Sequence, residues 1–160
     1  MSSIEILDRI TEWLREKDFI VRKENSRLIV DVQHSDQSVS LREISIIGSK
    51  DYNTIALGFR YDMDDDTCRA YMYLNSSEKV AFIERIENMF KTIGVAALFI
   101  PNAGSMQNIN GRKSDSYRKP KKKETFMKSV LDLYAVLTNV IISILQLNKT
   151  GKYLDPSKHV

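Results

Sequence analysis

Apolar and polar positions along this chain fall into two periodicities, and the longest regular stretch is Thr125 to Asn148. On a helix of 3.6 residues per turn, Phe126, Val130, Leu133, Leu137, Val140, Ile144 and Leu147 form one apolar stripe. Met127, Leu131, Tyr134, Ile141 and Leu145 form a second stripe beside it. Lys128, Asp132, Asn139, Ser143 and Gln146 are left as a narrow polar strip. A surface helix usually carries an apolar arc only slightly wider than ~100°, so this helix is expected to be covered on more than one side, by a sheet and by a second helix or a second subunit. No charge lies between Asp132 and Lys149. That window falls short of the ~20 apolar residues a bilayer core demands and contains Thr138, Asn139, Ser143 and Gln146, which favours protein over lipid as its surroundings.

The N-terminal segment has the same period. Ser2 and Glu5 have the spacing of a capping box, and Ile6, Leu7, Ile10, Trp13 and Leu14 share one helical face, with Trp13 as its core anchor. From Phe19 the period changes to two. Strands are expected over 19–24, 28–32, 41–47, 54–61 and 68–74, separated by Asn25-Ser26, a polar loop at 35–40, GSKDYN at 48–53 and the Asp-rich stretch 62–66. In the third of these strands Ile44 and Ile46 face the core. A further helix is expected from a cap at Ser76 or Ser77, with Phe82, Ile86, Met89 and Ile93 buried and Gly94 as its left-handed C-terminal residue. VAALFI at 95–100 is long enough for one buried strand ended by Pro101. Residues 102–123 are expected to be a flexible basic connector and 151–160 a frayed tail. The pattern specifies a single α+β domain over 1–160: a largely antiparallel sheet of five to six strands packed with N-terminal, middle and C-terminal helices.

With the elements ordered, ITEWL at 10–14, the helix FIERIENMF, the strand VAALFIP and the closing apolar helix resemble a family of small uncharacterised archaeal proteins with a secretion-chaperone-like α/β fold. The resemblance implies a dimer-prone, non-enzymatic domain and brings no catalytic residues with it.

Composition changes this picture at one place. The chain of 160 residues carries a formal charge of +3. Arg112 to Lys123 holds seven basic residues against Asp115, a local +6, which leaves the remainder at −3. Arg112, Lys113, Arg118, Lys119, Lys121, Lys122 and Lys123 could neutralise phosphates, and Tyr117 could stack on a base. Sequence-indifferent, salt-dependent nucleic-acid binding is therefore one functional expectation. The other readings of the segment are a solvated loop, which is favoured, and a surface for acidic proteins or anionic lipids. PKKK is also similar to a nuclear import signal.

Other chemistry is sparse. Asp62, Asp64, Asp65 and Asp66 could attract a divalent cation, but Thr67 and Tyr73 stand where an EF-hand loop needs Gly and Glu, and aspartates are ordinary turn residues. His34 and His159 are far apart, and one cysteine, Cys68, gives neither a disulfide nor a zinc set. Cys68 reads as a small buried hydrophobe. Gly48-Ser49-Lys50 lacks the leading glycine and following helix of a phosphate loop. No cofactor, metal or catalytic set is expected. The acidic start MSSIEILDR has no signal-peptide core, so a cytoplasmic setting is expected. The primary functional expectation is a homodimeric, chaperone- or adaptor-like module that holds another polypeptide; the third and least favoured reading is a hydrolase using the aspartates at 62–66.

Overall fold

The computed structural model describes residues 3–33, 43–48, 54–102, 105–116 and 122–154. In chain order the elements are α1 (Ser3–Glu16), β1 (Val21–Glu24), β2 (Arg27–Asp31), β3 (Glu43–Gly48), β4 (Thr54–Asp62), α2 (Asp65–Met72), α3 (Ser76–Lys91), β5 (Ala96–Asn102), β6 (Ser105–Ser116) and α4 (Lys122–Leu154). The six strands form one antiparallel sheet in the order β1-β2-β3-β4-β6-β5. This is the α+β architecture that the segregated strand and helix patterns specify.

Register explains where the core lies. Leu28 is paired with Ile46, and Ile46 with Leu57, so these three share one face. Val30, Ile44, Ile55, Phe59 and Tyr61 belong to the same face by the two-residue repeat, and all are buried in one cluster with the apolar sides of the four helices. α1 lies over β1 and β2, α2 over β6, α3 over β5, and α4 runs against α1, α2 and α3. On the opposite face Arg22 stands across from Ile29 and pairs with Glu43, Glu24 and Asp31. Its side chain thus links β1, β2 and β3 on the face opposite Leu28, Ile46 and Leu57.

α4 is longer than the 125–148 pattern predicts and buries an arc of about 200°, counted at 100° per residue, from Ser143 round to Met127. One chain covers all of it. Ser143, expected in the polar strip, is 5% exposed, and its hydroxyl donates to Asn139 O (3.1 Å). Leu131, expected in the second apolar stripe, is 48% exposed. By length and composition alone α4 is able to cross a membrane; the buried helix of a folded core has the same composition.

Four expectations are corrected. Residues 68–74 are not a strand: 65–72 form α2. Thr67, Ala70, Tyr71 and Leu74 are the buried positions, a helical spacing that the exposed Met72 and Tyr73 hide in the sequence. The flexible connector over 102–123 is largely strand β6, which pairs along nine residues with β4 and along its other edge with β5. Its backbone is satisfied on both sides, so polar side chains do not prevent it from being an inner strand. β5 also continues through Pro101 to Asn102, with a register shift between Ile100 and Pro101, the irregularity at which a sheet tolerates proline. The cap of α3 is neither Ser76 nor Ser77. Asn75 accepts from Glu78 N (2.9 Å), and Glu78 Oε1 accepts from Asn75 N (3.0 Å), a reciprocal capping box. Gly94 does adopt φ +74°.

Candidate functional site

The four aspartates at 62–66 are distributed by the fold. Asp62 ends β4 and pairs with Arg60 (3.0 Å) in solvent. Asp64 occupies the N-cap position of α2 and accepts from the Tyr61 hydroxyl (2.9 Å). Asp65 and Asp66 sit in the first turn, where a negative charge complements the helix dipole. Among the described residues no three potential metal ligands converge. Tyr61 is 1% exposed and also lies 3.3 Å from Thr67 Oγ1. Burial pushes its phenol well above the ordinary tyrosine range, and the Asp64 carboxylate adds to the effect. This polar knot fixes the β4–α2 corner. Cys68 is half-buried, with Sγ 3.7 Å from Met63 O.

The basic segment is divided among elements. Arg112 and Lys113 occupy successive positions of β6, opposite Gly58 and Leu57. Tyr117, Arg118, Lys119 and Lys121 lie outside the described residues, as do His34 and His159. Lys122 opens α4, and Lys123 pairs with Glu16 at the end of α1 (2.9 Å). Lys123 thus ties the start of α4 to the end of α1.

A groove that the sequence did not indicate lies between α3 and α4. Its volume is about 570 Å³. Leu74, Phe82 and Leu147, all nearly buried, form the floor with Ser143. Ala81 on α3 contributes no more than a methyl group to the wall, which leaves the groove open. Glu78, Arg85, Gln146, Lys149 and Thr150 make the rim. Glu78 is committed to the capping box. Arg85 and Lys149 have no ion partner among the described residues. α2 and α3 fix the α3 side: the Tyr71 and Phe82 rings meet at 6.0 Å, and Lys79 Nζ sits 5.6 Å over the Tyr71 ring. The site therefore offers an apolar floor under cations that have no ion partner among the described residues. Its one signal in the sequence is the pair of small residues, Ala81 and Ser143, on the facing sides of two otherwise bulky helices.

These features belong to a small α+β domain of four helices on one antiparallel sheet. Residues 6–142 match the family model described as Uncharacterized conserved protein (DUF2299), and the chain belongs to that family. Among solved structures it is similar to an uncharacterised protein from Methanothermobacter thermautotrophicus, with 16% identity, a TM-score of 0.68, and coverage of 91% of this chain and 98% of that one. It is also similar to YbjN, a putative transcription regulator from E. coli, with 14% identity, a TM-score of 0.53, and coverage of 89% and 91%. At these identities the likeness is one of fold. No curated protein matches.

Proposed function

We propose that this protein is a non-enzymatic, adaptor-like module that holds an amphipathic segment of another polypeptide in the groove between α3 and α4. The observation that carries this reading is the groove itself: an apolar floor of Leu74, Phe82 and Leu147, with Arg85 at its rim without an ion partner among the described residues. Helix-in-groove recognition uses this combination, with apolar anchors below and charged partners at the edge. The cations select a segment that carries a carboxylate beside its apolar residues. Likeness of fold to a protein described as a putative transcription regulator supports a role exercised through partners.

The test is fluorescence anisotropy with a panel of labelled amphipathic peptides, acidic and basic versions of each. Acidic members bind. Ala81→Trp, which fills the groove from its open wall, weakens binding at least about tenfold, and Arg85→Glu reverses the preference for acidic over basic peptides. Absence of binding across the panel, or binding indifferent to Ala81→Trp, contradicts the proposal.

A further inference from the structure

The exposed side of α4 carries a second pattern, separate from the groove's floor. Glu124, Lys128, Leu131, Ala135, Thr138, Ile142, Leu145 and Lys149 succeed one another at alternating spacings of four and three. That is a heptad seam. Leu131 and Ile142 are 48% and 41% exposed; Ala135, Glu124, Lys128 and Lys149 are exposed, and Thr138 and Leu145 are half-buried. The seam is about 37 Å long at 1.5 Å per residue. It is uncharged through its middle, since no charge lies between Asp132 and Lys149.

These positions are symmetric about the point between Val136 and Leu137. Laid antiparallel on a second copy of the chain, the seam meets itself. Leu131 falls against the partner's Ile142, Ala135 against the partner's Thr138, and Lys128 against the partner's Leu145. At each end Glu124 meets the partner's Lys149. Glu124 and Lys149 have no ion partner among the described residues, whereas Lys128 already bonds Asp132 (2.9 Å). A two-fold interface must be self-complementary in this way. The parallel arrangement would instead set Glu124 against Glu124 and Lys149 against Lys149. The seam is sealed at its ends by opposite charges in one orientation and repelled in the other.

We infer that α4 forms an antiparallel, two-fold homodimer seam through Leu131, Ala135, Thr138 and Ile142, with Glu124 and Lys149 setting its direction. This goes beyond polypeptide capture in the groove and does not depend on it; Lys149 stands at the edge of both. A single helix stripe covers less than the ~800 Å² per partner of a standard stable interface, so the association is of modest strength: dimer at roughly 100 μM and monomer near 1 μM.

Sedimentation velocity over that concentration range tests the inference, with circular dichroism to confirm that each variant folds. Glu124→Lys or Lys149→Glu alone places two like-charge pairs in each dimer and raises the dissociation constant about tenfold. The double exchange Glu124→Lys with Lys149→Glu restores it, and Ile142→Lys abolishes the dimer. Arg85→Glu leaves it unchanged, which separates this seam from the groove. A strict monomer at all concentrations overturns the inference. So does a dimer that tolerates Ile142→Lys, or one that the double exchange does not rescue. Co-flotation of the wild type with phosphatidylcholine vesicles, lost in Ile142→Lys, would assign the same stripe to lipid and also overturn it.

Discussion

The Phe59 and Phe90 rings stack face to face, 4.5 Å between centroids and 7° between planes, and so fasten the end of α3 to the centre of the sheet. The contact requires a third residue to have no side chain. A Cβ at Gly111, in register with Phe59 on β6, would lie 2.6 Å from Phe59 Cε1 and 3.0 Å from Val95 Cγ1. Gly111→Ala must displace the ring or the strand, and overpacking of this kind costs about 1–3 kcal/mol. In urea denaturation the midpoint falls without a change in slope. A neutral Gly111→Ala would show that the β4–β6 register differs from the one described.

At the start of α3, Asn75→Ala removes the half of the capping box in which the Asn75 side chain accepts from Glu78 N, and leaves the backbone N–H of residue 75 able to donate to Glu78. The expected loss is about 1 kcal/mol, or about 2–4 °C in thermal midpoint for a domain of this size. Ser76→Ala and Ser77→Ala cost less. Equal losses at Ser76 and Asn75 would contradict the assigned cap.

Alkaline stability is governed in part by Tyr61. Its folded phenol ionises above the unfolded value because burial disfavours the anion. Between those two values the native state holds a proton that the unfolded chain has released. The contribution of Tyr61 is therefore complete below about pH 10 and is lost as pH rises above it. Burial raises Tyr71 in the same direction. Tyr61→Phe should lower stability at pH 7 by about 1 kcal/mol, since it removes the hydrogen bond to Asp64, and should make the decline above pH 10 shallower. An unchanged alkaline decline would contradict a buried Tyr61.

The Tyr134 hydroxyl accepts from Gln33 N (2.9 Å), and its ring tilts against Phe19 at 5.4 Å, so one residue of α4 holds the chain at both ends of the β1–β2 hairpin. Tyr134→Phe should cost about 0.5–1.5 kcal/mol, while Tyr134→Ala, which also loses the ring contact, costs more. The nearby Lys123–Glu16 pair is exposed, and its removal should cost no more than about 1 kcal/mol.

Sequence periodicity captured the elements whose buried positions are also their apolar positions: α1, α3, α4 and the strands from β1 to β4. Trp13 packs half-buried at the edge of the core with its ring 6.2 Å from Phe126, while Ile10 and Leu14 are the fully buried anchors of α1. Periodicity failed where burial and polarity disagree. In α2 the fully buried residue is Thr67, while Met72 is 55% exposed, so the apolar letters suggest a strand and the buried ones a helix. Asp64, Asp65 and Asp66 were the local signal of a helix start. β6 has Ile109 as its described buried apolar anchor, and it exists because β4 and β5 both pair with it, a relationship between distant segments. An unstructured stretch of that length inside a compact domain is itself a warning. The groove could not be read because it depends on how two helices approach. α4 announced itself, but which of its residues would be left outside did not: Leu131 and Ile142 are as apolar as their buried neighbours.

Both the groove and the seam depend on α4 being packed into this domain, with one face closing the core and the rest available to partners. Native-state hydrogen exchange in lipid-free buffer measures that directly. Amides from Phe126 to Leu147 should be as protected as those of the central strands and open only with global unfolding. If those amides exchange rapidly while β3 and β4 stay protected, α4 is not part of the folded core and this account of the protein is wrong.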